Sequence, residues 1–437
     1  MTNRNRLSFP IPPKADVFHR QVLTWAQRQF TTATFLHSNG YQDDQHSHFS
    51  WIYALGADDV FYGQERGTFD ALRSFANTHD DWLFGFFSYE LKNQLEGLTS
   101  SNPDHIGMPL CHFFRPVVLI IPGQEHYQIA CLPGYGELSD PSMVHEMVMQ
   151  QDPLPERPDA SVHVEARVDR DRYLRQLHAI KQHIQAGDIY EMNYCVEFFD
   201  KQANIDPAGL YYALSVASPT PFSCFYMVDD KFLMCASPER FMRKQGDRLI
   251  SQPIKGTIAR GVNPSEDEAL RKTLAADPKE RSENVMIVDL VRNDLSRTAQ
   301  KDSVKVEELF GVYAFQQVHQ MISTVTSRLD PGVHYLDAIK KAFPMGSMTG
   351  APKYRAMQLI DHYEDSCRGI YSGSVGYISP EKDFDFNVVI RSIVYNQINK
   401  YLSYTAGGAI TAASIPEKEY EECLLKAKAM EKALQGM

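Results

Sequence analysis

Two stretches of the sequence repeat a Glu-x-x-Glu step, Glu280 to Glu283 and Glu419 to Glu422. On a helix that spacing sets both carboxylates on one face. A helical wheel also places Glu280, Glu283 and Asp294 in the stripe of Ile287, Leu290 and Val291. A charge facing the core is costly unless it is paired, bound to a metal or protonated. Glu280 has another reading, as the capping-box partner of Asp277 ahead of Pro278. Glu283 lacks that role and reads as a metal or catalytic group, with a buried salt bridge as the alternative. Asp294 and Arg292 read as structural ion pairs. In the second stretch, Glu419, Glu422 and Lys426 form a strip beside Tyr420, Cys423, Ala427 and Met430. Alone, that strip would be a solvated charge pattern; with the two helices facing one another, the carboxylates suit a hard ion such as Mg²⁺.

Three further segments hold groups that could meet an anion. In SQPIKGTIAR, Lys255 sits between Ile254 and Gly256, and read alone it is an edge-strand lysine held out in solvent. In FPMGSMTGAPKYRAM, Gly346, Thr349 and Gly350 precede a helix expected from about Pro352, where free N–H groups would suit a carboxylate. A plain capping turn is the alternative, and the spacing is not that of a phosphate-binding P-loop. Arg391, in the middle of FNVVIRSIVY, calls for an anionic partner. Gly407 and Gly408 of TAGGAI permit close backbone approach to a ligand, or merely a bulge.

The elements that must position these groups are legible. Tyr173, Leu174, Leu177, Ile180 and Ile184 share a helical face that Gly187 terminates, and strand-like EMNYCVEFF follows. From CFYMVDDKFLMCASPERFMRK to DRLISQPIKGTI the pattern is consecutive strands with short turns, which favours antiparallel pairing. GSVGYIS, FDFNVVIRSIVY and YLSYTAGGAI read as three more strands before a final helix from Pro416. Residues 1–150 mix strands and short helices, QDPLPERPDASVH (151–163) reads as a linker, and 164–437 holds the candidate chemistry.

Composition sets the bounds. The chain has 437 residues, 43% hydrophobic and 23% charged, the makeup of a globular protein with a large core. Forty-four basic against 55 acidic residues give a net charge of −11, which argues against nucleic acid or an anionic membrane as partner. The seven scattered cysteines form no zinc spacing and read as reduced thiols. No apolar run approaches the roughly 18 residues of a membrane span, so a soluble cytoplasmic protein is expected.

Taken together, AGDIYEMN, ASPERF, PIKGT, SENVMIVDLVRNDL, SVKVEELF, VHQMISTV, GSMTGAPK, GSVGYIS, VVIRSI, TAGGAI and EYEEC resemble the chorismate-utilising enzyme family. The resemblance spans about 165 to 435, with a weaker echo in GFFSYEL, and is nearest to the aminodeoxychorismate synthase component I branch. It implies an α+β fold of two large packed antiparallel sheets flanked by helices, with the N-terminal region interwoven with the core. It makes Glu283 and Glu422 the main Mg²⁺ ligands, helped by Glu280 and Glu419, and Glu239 the general acid. Chorismate's carboxylates would meet Thr349, Tyr377, Arg391, Gly407, Gly408 and Lys426, with His319 close to the ring and Lys353 a lesser contributor. PIKGT marks the aminodeoxychorismate branch, since anthranilate synthases have alanine at the lysine position; Lys255 becomes the nucleophile. Met345 and Ala409 depart from the family's usual glycines.

The implied reaction is amination of chorismate at ring carbon 4, toward p-aminobenzoate and folate. No glutaminase nucleophile turn is visible, so ammonia is expected from a separate glutamine amidotransferase subunit. The alternatives are an anthranilate or isochorismate synthase on the same scaffold, or an inactive chorismate-binding regulator.

Overall fold

The computed structural model describes residues 3–41, 44, 46–155, 160–316 and 318–435. Its strands hydrogen-bond into one 20-stranded antiparallel network, with a separate two-stranded pair of Asn204–Ile205 and Ala160–Ser161. The two expected sheets are thus joined by strand pairing. The network still packs face to face, and alternation along single strands shows how.

In the strand Trp51–Tyr62, Ile52 and Ala54 enter one apolar cluster while Trp51, Tyr53 and Leu55 enter another. In Phe222–Val228, Cys224, Tyr226 and Val228 join the first, Phe225 and Met227 the second. Successive side chains of a strand point to opposite faces. The first cluster draws on strand residues such as Phe84, Phe114, Leu233 and Val394, and forms the layer between sheets. The second is closed by helices, among them Ala15–Gln29, Arg170–Ala186 and Pro416–Leu434. A third lies under Thr68–Thr78, Pro278–Ser296 and Tyr335–Ala342. Burial on both faces explains why the covered stretches, such as Trp51 to Leu55 and Cys224 to Val228, are continuously apolar.

The N-terminal third pairs directly with the rest: Thr32–His37 lies beside Phe222–Val228, and Leu83–Phe87 beside Ser374–Ile378. Within the 151–163 segment, residues 156–159 lie outside the described residues. The helix Arg170–Ala186 buries Tyr173, Leu177 and Ile180; Asp169 caps its start and Gly187, at φ 83°, its end. Six of the cysteines are buried, Cys367 is half-buried, and all seven are free. Among the described residues no helix is long and apolar enough to cross a membrane.

Two expectations are corrected. FDFNVVIRSIVY is two strands, Phe384–Asn387 and Ser392–Asn396, separated at 388–391, where Arg391 adopts φ 51°. The loop before Lys353–Tyr363 is no open nest: the N–H groups of Met348 and Thr349 donate to the carbonyls of Met345 and Gly346. Gly350 is required by packing, since a Cβ there would stand 2.1 Å from the Glu191 carbonyl.

Candidate active site

The strand Ile254–Ala259 pairs with Val318–Arg328 with a register shift between Ile254 and Thr257. Lys255 and Gly256 fall in that irregularity, with Gly256 at φ 95°. Bulges of this kind bend a strand and re-aim side chains. Here Lys255 turns inward: its side chain is 10% exposed and its Nζ donates to Glu191 Oε1 at 2.6 Å. Burial alone would lower the pKa of the ammonium, but Glu191 above all, with Glu283 and Glu239, holds it above the usual lysine value. The solvated edge-strand reading is therefore excluded, and the free site holds a charged lysine.

Glu239 opens the step from Lys231–Ser237 into Arg240–Gln245 and is 4% exposed. Burial pushes its carboxyl up to about 7, against the pull of a Ser347 hydrogen bond, the Lys255 charge and the Ile254 backbone. Such a group is part-protonated at neutral pH, as a general acid requires.

The helix Pro278–Ser296 presents its acidic end to the last helix, Pro416–Leu434. Asp277 caps it by accepting from the N–H groups of Lys279 and Glu280. The Asp277 N–H donates to Leu274, so the capping box does not close and Glu280 is free for other work. Lys279 Nζ lies 3.7 Å from Glu283 Oε1 and 3.8 Å from Glu419 Oε1. Burial raises the Glu280 pKa and carries that of Glu283 up to about 7. Glu283 Oε1 is buried and accepts no hydrogen bond from the described residues. Glu422 is held low by Lys426, whose Nζ is 2.7 Å from its Oε1 and also donates to the Gly407 carbonyl at 3.0 Å.

A metal can be tested against this donor set. Among the described residues no three acidic, histidine or cysteine side chains stand close enough to cage an ion as they are. Lys279 supplies the positive charge between Glu283 and Glu419 instead. The donors nonetheless suit a hard cation: they are all carboxylate oxygens, and the unpartnered Glu283 oxygen is a buried acceptor that lacks a donor.

The other expected residues divide. Gly407 and Gly408 lie in Tyr401–Ile410, which pairs without a bulge along Glu191–Asp200. A Cβ at Gly407 would meet the Tyr194 carbonyl at 2.1 Å, whereas one at Gly408 would face Glu419, Lys426 and Glu422 at 3.5 to 3.9 Å. Gly407 is thus a packing residue whose carbonyl Lys426 reads, and Gly408 opens toward the carboxylates. Thr349 is fully buried with its hydroxyl donating to Met345. His319 Nε2 sits 2.9 Å from Asp267 Oδ1, and its buried Nδ1 has no partner among the described residues. Arg391 is half-buried; its carbonyl accepts from the Ala236 N–H at 3.0 Å, its side chain forms no hydrogen bond or ion pair among the described residues, and desolvation lowers its pKa to about 10. Lys353 is structural, donating to Asp294 Oδ2 at 2.7 Å and to the Ala342 carbonyl.

Tyr377 is not brought to this group. It lines a separate cavity with His48, Phe49, Phe222 and Arg240, packed on Trp82. Tyr371 is better placed: its hydroxyl contacts Cys195 Sγ at 3.5 Å, and Cys195 lies opposite Gly407. Sequence reasoning singled out neither Tyr371 nor Glu191. For Glu191 a signal existed, because a carboxylate opening a strand rich in Met, Tyr, Cys, Val and Phe is headed for burial and must meet a cation.

Comparison with known proteins gives a consistent result. A family model described as chorismate binding enzyme matches residues 31–432. Over 360 residues the chain is 39% identical to aminodeoxychorismate synthase of Streptomyces griseus, covering 79% of this chain and 49% of that one. It is 34% identical over 359 residues to anthranilate synthase component 1 of Thermus thermophilus, covering 81% and 77%. It spans 28% to 49% of the length of three aminodeoxychorismate synthases it matches. Anthranilate synthase component I from Streptococcus pneumoniae superposes with a TM-score of 0.77 at 25% identity, over 89% of this chain and 93% of that one.

Proposed function

The chain belongs to the chorismate binding enzyme family, and we propose that within it this protein aminates chorismate at ring carbon 4, giving 4-amino-4-deoxychorismate. The observation that carries this reading is Lys255, buried and within the charge field of Glu239. Glu239 protonates the departing 4-hydroxyl while Lys255 attacks carbon 2; ammonia then adds at carbon 4 and expels the lysine. Arg391, Gly408 and Lys426 are proposed to receive the substrate carboxylates, and His319 to flank the ring. Of these, Arg391 has the strongest support, since its guanidinium has no partner among the described residues.

Glu283 and Glu422, with Glu280 and Glu419, would hold Mg²⁺, which when bound supplies positive charge for the ring carboxylate. Ammonia is proposed to come from a separate glutamine amidotransferase subunit. The product would enter the route to p-aminobenzoate and folate.

Anthranilate synthesis is the second reading, favoured by the 34% identity that extends over most of the Thermus relative. Incubating the chain with chorismate, Mg²⁺ and ammonium, and identifying the product by mass spectrometry, separates the two. The 4-amino isomer is expected; anthranilate would overturn the reading.

A further inference from the structure

Glu191 is the first residue of the strand Glu191–Asp200 and is 1% exposed. Its place is fixed from both sides: the Tyr190 N–H donates to the Ala351 carbonyl, and Glu191 lies opposite Ala351 in register. One carboxylate oxygen accepts from Lys255 at 2.6 Å, and the other, Oε2, is buried without a partner among the described residues. A nucleophilic lysine must lose a proton, and in this site the ammonium is stabilised rather than weakened. The proton therefore needs a local acceptor. Glu239 already serves as the acid, and Glu283 faces the carboxylate cluster of the two helices.

We infer that Glu191 is that acceptor: it holds Lys255 in place and takes its proton as the amine attacks, a role that rests on the function proposed above. In the free site the pair is an ammonium and a carboxylate. Moving the shared proton from Nζ to Oε1 gives a neutral amine and a neutral acid with no change in net charge, a transfer favoured when bound substrate excludes water.

The Nζ lone pair then bonds to carbon 2, and the conjugated ring double bonds each shift one position. The bond from carbon 4 to oxygen breaks, and the oxygen leaves as water with the Glu239 proton. Ammonia bonds to carbon 4, the double bonds shift back, and the bond from carbon 2 to Nζ breaks with its electron pair returning to nitrogen. The amine recovers its proton from Glu191, while the proton shed by the ammonium that supplied the ammonia restores Glu239. The sum is chorismate and ammonium giving the protonated 4-amino product and water.

The test compares wild type, Glu191→Gln and Glu191→Asp in formation of the 4-amino product at matched free ammonia, between about pH 5.5 and about pH 7. Wild type should vary by less than about threefold over this range, because the proton stays inside the pair. Glu191→Gln should be about a hundredfold slower at neutral pH and lose about a further tenfold per pH unit on acidification, since Lys255 must then lose its proton to solvent. Its KM for chorismate should change by less than about threefold, which a merely structural role would not spare. Glu191→Asp keeps the charge but withdraws the oxygen by one methylene. It should be at least about tenfold slower with the wild-type pH profile, and it carries the test if the glutamine variant does not fold. A glutamine variant within about twofold of wild type with the same profile, or an aspartate variant at wild-type rate, would overturn the assignment. Absence of the 4-amino product from wild type would instead remove the function reading and this role with it.

Discussion

Glu283 and Glu419, carried by different helices, share one cation: the Lys279 ammonium lies 3.7 Å from the first and 3.8 Å from the second. This single lysine between two inward-facing carboxylates leaves Glu283 Oε1 without a hydrogen bond from the described residues. Divalent cation should therefore bind and stabilise the fold. Millimolar Mg²⁺ should raise the melting temperature by a few degrees, the shift expected of a ligand well above its Kd. Glu283→Gln should fold normally and lose most of that shift, because removing an under-paired buried charge relieves desolvation. An unfolded variant, or one with the full shift, would contradict this.

The two carboxyls raised to about 7, Glu239 and Glu283, make a prediction about pH. Their folded pKa values lie above the ordinary 4.5, so between 4.5 and about 7 the folded state binds more protons than the unfolded one. Stability then falls as pH rises through this window, by up to about 3 kcal/mol per group. Urea unfolding of wild type and Glu239→Gln without Mg²⁺ should show a larger loss between about pH 5 and about pH 8 in wild type. Equal losses would place the Glu239 carboxyl in its ordinary range.

Arg391 is half-buried, and its guanidinium has no partner among the described residues. Its replacement by glutamine should leave stability unchanged or improved, while KM for chorismate rises at least about tenfold. Lys353 should behave in the opposite way. It closes on Asp294 and the Ala342 carbonyl, so Lys353→Ala should cost about 3 kcal/mol of stability by stranding Asp294. Calorimetry with steady-state kinetics separates the two behaviours; a KM effect without a stability effect at Lys353 would reverse the assignment.

Which features could be read from sequence follows from the range of the interactions involved. Glu283 was legible because a helix has a fixed period, and a carboxylate on an apolar stripe violates it. The N-cap at Asp277 and the stop at Gly187 are local devices and were legible too. Arg391 was half legible: the need for an anion follows from its apolar neighbours, but the left-handed turn that ends the strand there does not. At the Gly346 to Gly350 loop the sequence left an anion site and a plain turn both open; only the folded chain shows the Met348 and Thr349 N–H groups engaged by the carbonyls of Met345 and Gly346 and Gly350 fitted against Glu191. Tyr377 and Tyr371 lie so close in sequence that pattern alone favours neither; register does, by setting Cys195 opposite Gly407. The Lys255 to Glu191 pair joins residues 64 apart and depends on a strand irregularity that no local rule announces.

In the proposed reaction Lys255 acts through carbon 2 and so directs ammonia to carbon 4. The most direct measurement is chromatography and mass spectrometry of the products that wild type and Lys255→Ala make from chorismate at matched Mg²⁺ and ammonium. Wild type should give the 4-amino isomer. The variant should lose it by several powers of ten, on the order of the loss of a covalent catalyst, and any residual product should shift to the 2-amino isomer that leads to anthranilate. Formation of the 4-amino isomer by Lys255→Ala at near wild-type rate would contradict the account.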